Sequence, residues 1–212
     1  MRLIVVRHGE TLYNTNHRLT GQSDVPLNPL GIRQARLVAA YLASEHLDVI
    51  VSSDLERTRA TAGEIARHHG LPVLEDPDIR EISLGEWEGK TLVEVEATDP
   101  DVIAQWRANP ALHAPVGGET LIQVRERIQR ALHSWYARYP DGDVVWVAHG
   151  GLIGVLICHL LDIDINRRHQ FHHANASVNE FLYSPERISI VRLNEIAFLR
   201  ELEGTVLIDT VV

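Results

Sequence analysis

Four short stretches carry side chains able to bind an anion and move protons beside it. Arg7-His8-Gly9 ends the apolar run Leu3 to Val6. Ser52-Ser53, followed by Arg57, comes directly after the apolar stretch 48–51. His149-Gly150-Gly151 follows Val144 to Ala148. Glu81 lies in DIREISLGEWEG, residues 78–89, which is irregular and rich in acids. Singly, each has an ordinary explanation: a solvated strand end, a helix-surface charge, a core histidine, one acid among many. Collectively they offer complementary chemistry. A guanidinium fork grips two oxyanion oxygens at once, a neutral imidazole attacks or donates, and a carboxyl group passes a proton.

These groups meet only if the elements that carry them converge. Leu3–Val6, 48–51 and Val144–Ala148 read as buried strands, with a short strand near Val73. Asn28-Pro29 predicts a helix start, with an apolar face running to about Ala43. Ser53 and Glu56 form a capping-box pattern for a helix ending near His69. Leu121, Val124, Ile128, Leu132, Trp135 and Tyr139 mark one face of an amphipathic helix over 119–139. A further helix is expected from about Leu152 to Leu161, and a hairpin over 177–193 around Ser184-Pro185. Short helices and a loop fill 91–117. Buried strands alternating with helices predict an α/β three-layer sandwich around a mostly parallel sheet. Ligands of such sheets bind beyond the carboxyl ends of the strands. Three of the four stretches fall there, two of them opening helices, whose N-termini favour anions.

The chain has 212 residues, 45% of them hydrophobic, which suits one domain with a full core. We expect a single domain over 1–212 with a lid-like insertion at about 82–118. Its formal net charge of -9 disfavours a general nucleic-acid or acidic-membrane surface, so anion binding must come from a local cluster. Cys158 is the one cysteine, in an apolar run, which fits a buried thiol in a reducing compartment. No apolar stretch is long enough for a signal peptide or a membrane span, so a cytoplasmic protein is expected. Lys90 is the one lysine, which disfavours Schiff-base chemistry.

RHGETLYN, SSDLERTRATA, EISLGEWEG and VAHGG, in that order, resemble the histidine phosphatase superfamily, also called phosphoglycerate mutase-like, over about residues 2–195. The resemblance implies that fold and hydrolysis of a small phosphate monoester through a phosphohistidine. His8 would be the nucleophile, with Gly9 setting its carbonyl against the unreactive ring nitrogen. Arg7, Arg57 and His149 would bind the phosphate oxygens, with Asn14 near the entrance. Glu81 would protonate the leaving oxygen. Gly21, Gln22, Gly150 and Gly151 match positions that shape the same pocket. No cofactor or metal is implied; a small phosphorylated metabolite is the expected partner, and a homodimer is expected by analogy.

Elementary chemistry agrees. Phosphate esters repel nucleophiles and spread charge over their oxygens at the transition state, so positioning and charge stabilisation dominate catalysis. A unit charge pair ~4 Å apart contributes about 4 kcal/mol at an effective dielectric near 20. Two arginines and a protonated His149 would supply several such interactions. His8 must be neutral to attack, and the adjacent arginines push it that way.

Cofactor-dependent mutases of the family carry Asn-Glu-Arg-His-Tyr-Gly at the acid, where this chain reads Arg80-Glu81-Ile82-Ser83-Leu84-Gly85. That departure favours a phosphatase over phosphoglycerate mutase-type transfer. A non-catalytic phospholigand-binding domain would keep Arg7 and Arg57 but tolerate loss of His8 or Glu81, and both are present. A metallohydrolase has little support: His68-His69 and His172-His173 lack ligand spacing and read as solvated, and no H-E-x-x-H occurs. Substrate choice is expected in 82–118, where Leu84, Trp87, Trp106, Leu112 and His113 offer a partly apolar wall, and in the C-terminal tail.

Overall fold

In β1 (Arg2–Arg7), Leu3 and Val5 point to one side of the sheet and Ile4 and Val6 to the other, and all four are buried. A strand buried on both faces needs helices on both. The computed structural model, which describes residues 1–200 and 202, has that arrangement. Of the C-terminal tail, where part of the substrate preference was expected, residues 201 and 203–212 lie outside the described residues.

Six strands pair in the order β3-β2-β4-β1-β5-β6. β1, β2 (Val49–Ser52), β3 (Val73–Glu75) and β4 (Asp143–Ala148) run parallel. β5 (Val178–Ser184) and β6 (Arg187–Glu195) form the expected hairpin and join antiparallel beside β1. Helices α2 (Pro29–Leu42) and α3 (Glu56–His69) pack Val38, Leu42 and Ile65 against Ile4, Val6 and Ile50. On the other face, α6 (Leu121–Arg138) and α7 (Gly150–Leu160) pack Val124, Ile128 and Leu156 against Leu3, Val5 and Trp146. Each fully buried side chain of this kind contributes roughly 1.5–3 kcal/mol.

Two helix starts differ from the sequence-based expectation. Ser53 and Glu56 do not form a capping box: Leu55 occupies the N-cap of α3, without a side-chain cap. Ser53 is drawn instead into the turn, its carbonyl accepting from Thr58 Oγ1 at 2.9 Å. The free amide of Glu56 is met from another loop by Asp24 Oδ1 at 2.6 Å. Helix α7 opens at Gly150, two residues earlier than the apolar pattern indicates, because poor helix formers mask its start. Elsewhere local chemistry works as read. Asn28 Oδ1 accepts from Gly31 N at 2.7 Å, with Pro29 at the first helical position. Thr120 and Gln123 close a capping box on α6.

The segment between β3 and α6 carries α4 (Leu92–Thr98) and α5 (Pro100–Ala108). Trp87, Val95, Ile103 and Trp106 form a separate small core there with Leu19. A four-residue helix, α1 (Leu12–Thr15), follows the Arg7-His8-Gly9 stretch.

Candidate active site

Register brings the Arg7-His8-Gly9 and His149-Gly150-Gly151 stretches together. Arg7 pairs with Ala148 in the β1–β4 ladder, so His8 and His149 leave adjacent strands at the same level. Their rings lie edge to face, with centroids 5.2 Å apart. β2 sits on the other side of β4, and Ser53 N donates to Val147 O, which brings the start of α3 and Arg57 to the same end of the sheet.

The His8 ring is buried, with Nδ1 2.7 Å from Gly9 O. A carbonyl only accepts, so Nδ1 carries the proton and Nε2 keeps its lone pair. Burial, then Arg57 and Arg7, hold this imidazole well below the ordinary histidine range. His8 is therefore a neutral base with one defined nucleophilic nitrogen. Gly9 can be placed this tightly because a Cβ there would meet Gly31 O at 2.3 Å.

Arg57 is fully buried and held on three sides. Its guanidinium donates to Ser23 O and Gly21 O, both at 2.8 Å, and its Nε to His149 Nδ1 at 3.3 Å. Burial pushes this guanidinium down to about 10, still charged at neutral pH. Accepting that bond fixes the tautomer of His149: Nδ1 is bare and Nε2 bears hydrogen. Burial first, then Arg57 and His8, hold the His149 imidazole well below its usual range. The cationic His149 was expected beside a bound phosphoryl group; in the empty pocket burial and Arg57 favour the neutral ring. In this state it is a neutral N–H donor.

Glu81 lies across the opening of α7. Its Oε2 accepts from Gly151 N at 3.1 Å, and its Oε1 from Leu152 N at 3.0 Å and Ile82 N at 2.9 Å. Gly151 is required for this approach, since a Cβ there would stand 2.6 Å from Oε1.

These groups share one pocket. Arg7, His8, Asn14, Gly21, Arg57, Glu81, Gly150 and Gly151 all line it. Arg7 also donates to His173 O. Asn14 Oδ1 accepts from Thr11 N at 3.0 Å, which seats its side chain beside the loop after β1. His149 lies just behind this wall, against Arg57 and His8. Gln22 does not line the pocket: its Nε2 donates to Glu81 O at 3.0 Å and to Glu119 Oε2 at 3.3 Å. Of the expected apolar wall, Leu84 and Trp106 face the pocket, whereas Trp87 is buried in the small core and Leu112 is exposed. His113 is exposed.

The pocket is also lined by Arg18, Arg168, His169 and Phe171, to which the sequence assigned no role, and by His172, expected to be solvated. Their segments have no apolar periodicity to reveal them. His173 was expected to be solvated with its neighbour, but it is buried under Arg7, and burial lowers it to about 3. Among the described residues, His46, Asp48 and Asp143 are the one group whose ligand atoms are close enough to share an ion. They lie at the starts of β2 and β4, the opposite end of the sheet from the pocket.

The profile described as "Histidine phosphatase superfamily (branch 1)" matches residues 3–196. A glucosyl-3-phosphoglycerate phosphatase of Mycolicibacterium vanbaalenii is 41% identical over 172 residues, 78% of this chain and 76% of the relative. Phosphoserine phosphatase 1 of Hydrogenobacter thermophilus is 36% identical over 201 residues, 95% of each chain. A probable phosphoglycerate mutase of Yersinia pestis is 34% identical over 187 residues, 86% of this chain and 85% of the relative. Among solved structures, a mycobacterial glucosyl-3-phosphoglycerate phosphatase complexed with VO3 superposes with a TM-score of 0.83 at 33% identity, covering 92% of this chain and 99% of that one.

Proposed function

The chain belongs to the histidine phosphatase superfamily, and on that premise we propose that it hydrolyses a small phosphate monoester through a phosphohistidine on His8. The observation that carries this is the His8 tautomer: Nδ1 anchored on Gly9 O, with Nε2 unprotonated in a pocket lined by Arg7 and Arg57. Nε2 attacks phosphorus as the ester P–O bond breaks. Arg7, Arg57 and the N–H of His149 receive the charge spreading over the phosphoryl oxygens. Glu81 gives a proton to the departing alcohol. It then takes one from the water that attacks the phosphohistidine, which frees phosphate and restores neutral His8.

Asn14 and Gly150 belong to the binding wall, Gly21 acts through its carbonyl on Arg57, and Gln22 acts through Glu81. The whole chain acts as one domain, with about 82–118 as its lid-like insertion. No metal is required, because the charge at the pocket is met by guanidinium groups and N–H donors. We place the protein in the cytoplasm on the strength of its one cysteine, Cys158, which is buried and free, and expect a homodimer by analogy.

The relatives named for glucosyl-3-phosphoglycerate and phosphoserine point to a phosphorylated metabolite as substrate. Phosphoryl return to a product is the second reading, favoured by the mutase-like relative. The test is turnover of p-nitrophenyl phosphate and a panel of phosphorylated metabolites, with and without EDTA. Phosphate release that persists in EDTA is expected; isomerisation of a phosphoglycerate without release would favour the mutase. No turnover of any ester would leave a phospholigand binder.

A further inference from the structure

Helix α6 contributes a buried arginine to the candidate site without touching the pocket. Arg127 is 6% exposed and donates to three carbonyls of the segment that leads to and includes Glu81. Its NH1 reaches Asp78 O at 2.9 Å and Arg80 O at 2.6 Å, and its NH2 reaches Glu81 O at 2.9 Å. The guanidinium is itself oriented by Glu119, with Nε to Oε1 at 3.0 Å and NH2 to Oε2 at 3.1 Å. Glu119 Oε2 also accepts from Ser83 N at 2.8 Å and from Gln22 Nε2, which completes a ring around the main chain of residues 78–83.

This segment has no sheet or helix ladder at Glu81 to set its depth. Side chains from α6 and the loop before it do that work. We propose that the Arg127–Glu119 pair is a positioning clamp that fixes Glu81 against the opening of α7, at the distance proton transfer to the leaving oxygen needs. The proposal rests on Glu81 as the general acid. A planar fork suits the task, because it binds several carbonyls and a carboxylate in fixed geometry, which a lysine ammonium does not.

A clamp on the acid predicts a signature that loss of stability alone does not give. Esters whose alcohols are acidic enough to leave unprotonated, such as p-nitrophenyl phosphate, depend little on Glu81. Phenyl and alkyl phosphates depend on it strongly. A displacement near 1 Å costs about 10²-fold, so Arg127→Met should lower kcat on phenyl phosphate roughly 10²-fold more than on p-nitrophenyl phosphate, and Arg127→Lys should not restore it. Glu119→Gln, which keeps arginine in place but loosens it, should show the same preference to a smaller extent. In a Glu81→Gln background, Arg127→Met should add no further leaving-group dependence.

The p-nitrophenyl reaction also reports that each variant is folded; if Arg127→Met gives no turnover at all, Glu119→Gln decides. Equal losses on both esters in the folded variants would overturn the clamp alone. A Glu81→Gln enzyme with no leaving-group dependence would overturn the acid assignment and the clamp with it.

Discussion

At the scale of single residues, the site is built by tautomers and burial rather than by charge count. His8 and His149 carry their protons on opposite ring nitrogens because one faces a carbonyl and the other a guanidinium N–H. Neither needs to be cationic in the empty pocket. The neutral histidines also set a pH dependence. His173 folds with its affinity for a proton lowered from the ordinary 6.5 to about 3. Below pH 6.5 the unfolded chain binds a proton that the folded one refuses, so stability falls as pH drops from 6.5 towards 3, at roughly 1.4 kcal/mol per pH unit for each such group. His173→Gln should flatten that slope in urea unfolding curves taken across this range. A slope unchanged by the substitution would contradict the buried neutral imidazole.

At the scale of elements, the candidate site is the opening of α7 meeting the ends of β1 and β2. Gly151→Ala sets a Cβ 2.6 Å from Glu81 Oε1. We expect it to push the carboxylate off the helix and lower kcat on phenyl phosphate by 10-fold or more while leaving the melting temperature close to the parent's; an undiminished kcat would mean Glu81 need not sit there. The strands, α2, α6 and the hairpin were legible in the sequence because apolar periodicity and the Asn28-Pro29 start act locally. What was not legible was long-range. The amide of Glu56 is capped by Asp24, the main chain at Glu81 is held by Arg127, and Arg168 reaches the pocket from the segment after α7. No pattern within a few residues encodes such pairings. The gathering of His8, Arg57 and His149 was foreseen because strand ends in a parallel sheet converge; Glu81, in an irregular segment, was placed with them through the family resemblance, and the neutral state of His149 required its partner to be in view.

At the scale of the molecule, a net charge of -9 surrounds a pocket that concentrates guanidinium groups. The field outside does not draw anions in, so the pocket must hold its ligand by close contact. Binding then appears as stabilisation. Saturating vanadate at about 100 times its Kd should raise the melting temperature by roughly 5–10 °C, read by differential scanning fluorimetry. No shift would mean the cations do not share a ligand.

The central claim is that this gathered end of the sheet transfers a phosphoryl group to one nitrogen of one histidine. The direct measurement is mass spectrometry of enzyme quenched during turnover of a phosphate ester. We predict one acid-labile phosphoryl group on the peptide containing His8, attached at Nε2 and absent from a His8→Ala variant that neither turns over substrate nor loses its fold. A phosphoryl group found on another residue, or full turnover by His8→Ala, would contradict the account.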